Sequence, residues 1–372
     1  MAKRLQQWVL TVVLLGGLTP GAALAQSGEY TWVWDDFSNG FTVDAPGAKW
    51  FHFGAGPFVG NNGNTWTDAG GLHVRAPGIH PVTGEPAFTS TVAPDAVSGL
   101  PGAFDHVKWL AYMNHFSSAG YPGFDTQPMY ELSCMTSITG TNHGVQFHPF
   151  GGNVTNPQDD LRLASFAMNT IDFESFMVFD FMFTNERVYA IYERLPFGRG
   201  TMGNYAAFTY AIPLKARLPW DNHQTTISYD RTADRVRWIL DGVEVFSVGN
   251  PGYRLDPQWM IIDHGGEEQP VTLNQLACGM GMFTLLDAAT PWGAGLVRLS
   301  SAPDFYFHPQ NSSWGQWFAD ESSAQGSRLF GQGAQLHVGS YAVRSYRLYY
   351  DSPPREEEPP PGDEPSVATL IE

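Results

Sequence analysis

The amino-acid sequence predicts an all-β fold, a two-sheet antiparallel β-sandwich or jelly roll. Three observations carry this. Asp241-Gly242 joins two runs rich in Val, Ile, Trp and Phe, residues 236–240 and 243–248. A type I′ turn needs positive φ at both central residues, and an Asp-Gly pair tolerates that well, so the hairpin signal is strong. Upstream, His223–Asp230 alternates Ile227 and Tyr229 with polar neighbours and reads as a third strand of the same meander. The chain also holds 40 Gly and 27 Pro with only 15% charged residues, which suits many short strands between turns and not helices.

In chain order, residues 30–37 open as a strand ending in the acid pair Asp35-Asp36, and residues 40–64 are loop-rich. Segments 72–75, 87–92 and 107–112 follow as short strands, then 129–138, 144–148 and 161–168 as a denser middle section. Segments 176–184 and 187–195, separated by Asn185-Glu186, read as a second hairpin, and 205–212 leads into the meander. Segments 259–263, 280–286, 296–299 and 336–349 complete the sheets. Residues 26–350 show neither linker nor repeat and read as one domain.

The ends have their own composition. Lys3 and Arg4, an apolar run over 8–18 and Ala23-Leu24-Ala25 have the layout of a signal peptide cleaved after Ala25, which predicts an exported, secreted or periplasmic protein. That run falls short of the roughly 20 residues a membrane span needs, and no later stretch is apolar enough, so membrane insertion is not expected. Residues 351–372 are rich in Pro and Glu and read as a disordered tail. The net charge is −17, and removing residues 1–25, with two basic groups and no acidic one, makes it −19. So acidic a chain lacks the electrostatic footprint of a nucleic-acid binder and disfavours a strongly anionic polysaccharide. Cys134 and Cys278 stand either as one disulfide or as two buried thiols.

A strand followed by VRWILDGVEVF, after an opening DDF and a Gly-Gly-Leu-His-Val strand at 70–74, resembles the concanavalin A-like lectin/glucanase sandwich shared by laminarinase-like glucanases and laminin-G modules. Over residues 35–346, segments such as NHFSSAGYPGFD, IIDHGGEEQ and SRLFGQGA resemble a family of uncharacterised bacterial proteins, which implies a fold but no activity. The glucanase signature Glu-x-Asp-x-x-Glu sets its acids on one face of a strand. Here no Glu is followed two positions later by Asp, so any hydrolase or lyase chemistry must use other groups.

Candidate site residues follow from the second hairpin. If Asn185-Glu186 is a two-residue loop, Thr184 faces Arg187. Phe179, Phe181 and Phe183 then share the core face with Val188, Ala190 and Tyr192. The opposite face carries Asp180 diagonal to Glu193, with Tyr189 and Arg187 beside them: two carboxylates and a phenol suited to acid/base work. The bland alternative is an ion pair of Arg187 on a solvated face. Gln146-Phe147-His148 resembles the Gln-x-His strand of jelly-roll alginate lyases, implying that Gln146 and His148 handle a substrate carboxylate and its α-proton. The other two lyase motifs are unmatched, and Glu131 stands where an arginine strand would be. Asp263-His264 opens the most polar loop and has the chemistry to orient an imidazole, although a plain acidic turn explains it as well. No His-x-His or His-Glu-x-x-His spacing supports a zinc ligand set, so no metal ligand is assigned. Asp35, Asp36, Asn153, Asn156, Asp159 and Asp160 have oxygens suited to a structural calcium. Trp50, Trp66, Trp109, Trp220, Trp292, Trp314 and Trp317 lie near turn residues, where indole faces either stack on sugars or seal sandwich edges.

Taken together, these features predict an exported protein that binds, and if catalytic processes, a neutral or weakly charged glycan on the concave face of the sandwich. The main site would be Asp180, Tyr189 and Glu193, flanked by Gln146 and His148, with Arg187, Glu131, Asp263, His264 and Trp66 as binding residues. The alternatives are a lectin-like or envelope-interaction protein and a lyase-type acid/base enzyme. No cofactor is expected beyond calcium.

Overall fold

Strands built from β-branched and aromatic residues supply almost all the regular structure in the computed structural model. It describes residues 28–55, 58–78, 107–289, 292–300, 302, 304–311, 315–321 and 333–349. The signal segment, the expected strand at 87–92, Trp314 and the tail 351–372 lie outside the described residues. The first part contributes β1 (Tyr30–Asp35), β2 (Trp50–His52), β3 (Gly54–Ala55), β4 (Phe58–Val59), β5 (Asn64–Asp68), β6 (Gly71–Arg75), β7 (Val107–Met113) and β8 (Phe124–Asp125). The middle contributes β9 (Tyr130–His143), β10 (Ser165–Asp172), β11 (Met177–Phe183), β12 (Arg187–Arg194), β13 (Phe208–Ala216), β14 (His223–Asp230), β15 (Arg235–Leu240) and β16 (Val243–Gly249). Then come β17 (Met260–Asp263), β18 (Gln275–Phe283), β19 (Gly295–Val297), β20 (Phe318–Asp320) and β21 (Gly333–Arg347).

Two antiparallel sheets result. The first runs β16-β15-β14-β9-β21-β6-β5, with β1 also on β21, and the second runs β17-β13-β12-β11-β10-β18-β7-β2, with β8 on β18. The sandwich expected from the sequence is the fold observed. The Asp-Gly hairpin forms as predicted: Asp241 and Gly242 have φ of 52° and 82°, and Leu240 pairs with Val243. The second hairpin also has the predicted register, with the Thr184 N–H bonded to the Arg187 carbonyl at 3.0 Å and Phe183 opposite Val188.

The main core lies between the sheets. Phe179, Phe181 and Phe183 from the second sheet and Ile227, Trp238 and Tyr341 from the first are all fully buried there. Burying each such side chain stabilises the fold by roughly 2–3 kcal/mol. Cys134 of β9 and Cys278 of β18 close a disulfide across this core, their Cα atoms 5.7 Å apart. Of the two states left open by the sequence, this is the one adopted.

A second apolar layer lies on the other side of the second sheet. Val178, Met182, Tyr189 and Ile191 pack there with Leu285, Ala288, Tyr306 and Phe318 from the segment after β18. The hollow side is therefore covered over the middle of the sheet rather than open, which corrects the expectation of a concave face free to take ligand at Asp180 and Tyr189.

Two local expectations also fail. Residues 144–148 are not a strand. Gly144 takes φ of 75°, ends the extended run of β9 and starts the 3-10 turn Val145–Phe147, so Gln146 and His148 do not line one face of a sheet. Trp50 and Trp109 are fully buried core residues on β2 and β7, not turn aromatics, whereas Trp66, Trp220 and Trp317 are exposed.

Candidate functional site: an edge cleft beside a carboxyl pair

The outer face of the second sheet presents its residues in rows. One row runs Tyr112, Gly279, Asn169, Asp180, Ile191, Ala211; the next sets Val178 beside Glu193 and Glu193 beside Thr209. Asp180 and Glu193 are thus diagonal neighbours on one face, as the hairpin register required. The row is pinned from below, because Trp238 Nε1 donates across the core to the Asp180 carbonyl at 2.9 Å and Tyr341 Oη to the Gly279 carbonyl at 2.8 Å.

Burial sets the chemistry of these acids. Asp180 accepts hydrogen bonds from Asn169 Nδ2 and the Thr170 N–H, both at 2.9 Å. Desolvation nevertheless pushes its carboxyl well above the usual range, and the charge of Glu193 pushes it further. Glu193 accepts from the Thr209 hydroxyl, and burial, with Asp287 facing it, raises it to about 7. Asp287 itself is raised to about 6 by burial, against the 2.8 Å hydrogen bond it accepts from Tyr306 Oη. Glu193 and Asp287 line a cavity of about 40 Å³ together with His264, Phe305 and Tyr306. This cavity has room for a water but not for a sugar ring.

A larger opening lies one wall away. A cleft of about 420 Å³ is lined by Arg254, Asp263, Gly266, Phe307, Gln310 and Asn311, among others. The wall between cleft and cavity is the antiparallel bridge in which the Phe307 N–H donates to the Asp263 carbonyl at 2.8 Å. Asp263 and Phe307 face the cleft, whereas His264 and Tyr306 face the cavity. The Asp263 carboxylate is held by the Gly265 N–H at 2.8 Å and by Arg254 at 3.3 Å, and His264 Nδ1 bonds the Phe305 carbonyl at 2.6 Å. Gly265 and Gly266 have φ of 68° and 90°, and a Cβ on Gly266 would fall 2.2 Å from the Tyr205 carbonyl oxygen. Replacing Gly266 by alanine is therefore expected to cost about 1–3 kcal/mol, read as a lower urea midpoint, and to disturb the cleft wall.

The other residues singled out by the sequence are scattered. Tyr189 shares the face of Asp180 but donates at 2.9 Å to Asp159, which also takes Arg187 Nε at 2.8 Å. Burial and the Asp159 charge both raise the Tyr189 phenol. Arg187 is thus ion-paired, but with Asp159 and not with Asp180 or Glu193, the acids the bland alternative had in view, and Tyr189 beside it is buried. His148 accepts from the Phe150 N–H at 3.2 Å on the turn after β9, next to exposed Gln146. Glu131 is buried on the outer side of the first sheet, bonded to Arg237 and to Tyr346 Oη. Trp66 stands on β5 of the same sheet. These four do not meet Asp180 and Glu193. The oxygens considered for calcium have protein partners: Asp35 takes Lys49 and Trp50 Nε1, and Asp160 takes Arg162. Arg254, Asp287, Tyr306, Phe307 and Asn311 carried no local signal, because they come from loops that only the tertiary fold brings to the edge of β17.

An uncharacterized protein of Acanthamoeba polyphaga mimivirus is 29% identical over 261 residues, 55% of this chain and 57% of the relative, so the chain matches little more than half the length of that relative. The relative is viral, whereas the resemblance read from the sequence was to bacterial proteins. Among solved structures, LamAcat from Zobellia galactanivorans aligns at a TM-score of 0.39 and 10% identity, over 87% of this chain and 98% of that one. A non-specific endo-beta-1,3(4)-glucanase of family GH16 aligns at 0.38 and 10% identity, over 86% and 90%. Alginate lyase A1-II′ of polysaccharide lyase family 7 aligns at 0.37 and 10% identity, over 76% and 84%. Likeness at this level says nothing about the site. A family model matches residues 34–347, most of the chain, and the protein therefore belongs to DUF6081, a family of unknown function.

Proposed function

We propose that the protein is exported and binds a neutral or weakly charged oligosaccharide in the cleft between Arg254 and Asn311. The supporting observation is the make-up of that cleft. Its volume of about 420 Å³ lies at the scale of small-ligand sites, and it sets a guanidinium, a carboxylate and two amides around the ring of Phe307. Hydroxyl groups need donors and acceptors in alternation, and sugar C–H faces need an aromatic platform. An Arg254–Asp263 pair that stays hydrogen-bonded in place is better suited to a neutral ligand than to a polyanion. The leader-like N-terminus and the disulfide support export to an oxidising compartment.

A second reading, processing of the bound glycan, is favoured by one observation. Glu193 and Asp287 are carboxyls raised to about 7 and about 6, behind the wall that the cleft shares with their cavity. Such values match acid/base work at neutral pH. Opening of the Asp263–Phe307 bridge would connect the two.

A glycan array, run with assays for reducing ends and unsaturated products, tests both readings. Binding without product supports the lectin-like reading, and product formation the enzyme. Replacing Phe307 by alanine is expected to weaken oligosaccharide binding about tenfold or more without changing the thermal midpoint by more than about 2 °C. Flat arrays, or unchanged affinity in this variant, contradict the assignment of the cleft.

A further inference from the structure

On the outer face of the first sheet, remote in topology from the cleft, three strands bring an imidazole pair and a carboxylate together. Trp66 of β5 pairs with His73 of β6, and His73 pairs with His337 of β21. Their rings form a stack: Trp66 on His73 at 5.0 Å and 2°, and His73 on His337 at 4.2 Å and 17°. Asp68, at the end of β5, holds the Gly70 N–H with Oδ1 at 2.7 Å and turns Oδ2 to His73 Nε2 at 2.9 Å. One donor atom from each of Asp68, His73 and His337 lies within 4.8 Å of the others.

Two buried atoms here are unsatisfied. His337 Nε2 has no hydrogen-bond partner, and neither has the hydroxyl of Thr139, the residue opposite His337 on β9. A buried ring nitrogen left without a partner is costly, and native structures rarely leave one so without a reason. A cation supplies what the nitrogen lacks.

We propose that Asp68, His73 and His337 form a binding site for a first-row divalent cation of the zinc type. Two imidazoles and one carboxylate form a donor set that suits zinc, copper or nickel and disfavours calcium or magnesium, which prefer oxygen ligands throughout. The Gly70 N–H orients the ligating carboxylate through its second oxygen, as supporting hydrogen bonds do at metal sites. His73 and His337 are held by directly paired strands, and the Asp68 carboxylate, 55% exposed, reaches His73 from the end of β5. Three protein donors leave a coordination position open for water or another ligand. Trp66, stacked on His73, does not ligate but reports on the site. No motif spacing announces this set, since its ligands sit at 68, 73 and 337.

The test uses the full mature chain without an affinity tag, stripped with a chelator and titrated with zinc by calorimetry. One zinc per chain is expected, with affinity lowered at least about tenfold in His337→Gln and in Asp68→Asn. Copper(II) is expected to quench indole emission at one equivalent in the wild type, and most of that quenching should disappear in Trp66→Phe, which keeps all three ligands. This second readout covers the case in which a ligand variant fails to fold. An absence of zinc binding by the wild type, or undiminished binding in both folded ligand variants, overturns the proposal. Quenching that survives in Trp66→Phe places the ion elsewhere and overturns it as well.

Discussion

The double replacement of Cys134 and Cys278 by alanine is expected to lower the stability of the folded chain by about 5 kcal/mol, the chain-entropy value for a loop of this length, since the bond closes a separation of 144 residues. For a domain of this size that corresponds to a thermal midpoint lower by roughly 5–10 °C. The effect is large because the bond closes a long loop, cross-linking β9 of one sheet to β18 of the other in the middle of the core. Both sulfurs are fully buried, so reductant should act only on unfolded molecules. The urea midpoint of the wild type should therefore fall toward that of the double variant when unfolding and refolding are carried out under reducing conditions. Equal midpoints with and without reductant would contradict this role.

Replacing Glu193 by glutamine is expected to change stability little at low pH and to raise it at high pH. The folded-state value of Glu193 is raised from 4.5 to about 7, so the folded chain holds this proton more tightly than the unfolded one. Its favourable contribution is complete below about pH 4.5 and is lost as the pH rises toward 7. Relative to the variant, the wild type should then be up to about 3 kcal/mol less stable at pH 8 than at pH 4. Glutamine keeps the shape and an acceptor for Thr209 without the charge, so the variant should show a flatter stability profile. If the glycan is also processed, the same variant should lose product formation by a factor of about 10² or more while keeping oligosaccharide affinity within a few-fold. A wild type and variant with parallel pH profiles would show that Glu193 is not held protonated.

The two hairpins were legible because their loops contain two residues, and strand geometry then fixes which side chain faces which way. Asp180 and Glu193 on one face, and Phe179, Phe181 and Phe183 on the other, follow from that alone. What stands over the face was not legible. The loops after β18 bring Asp287, Tyr306 and Phe318 down onto it, turning an expected open groove into a covered face with a small cavity, where Asp180 is buried and Glu193 half-buried. Gln146 and His148 misled for a local reason: their alternation resembles a strand, but the positive φ of Gly144 turns the chain first. Trp66 was singled out for its indole, whereas its partners His73 and His337 come from strands distant in sequence, whose pairing only the sheet order reveals. Asp263 and His264 were found as a polar loop, but their division between cleft and cavity depends on the bridge to Phe307, which no sequence pattern announces.

The account depends most on the edge cleft being where a saccharide sits. A crystal structure of the mature chain soaked with the best-binding oligosaccharide tests this directly. The expected result is a sugar ring against the face of Phe307, with hydroxyls bonded to Arg254, Asp263 and Asn311. A sugar bound at Trp66 or elsewhere on the first sheet, or an unfilled cleft at saturating ligand, would contradict it.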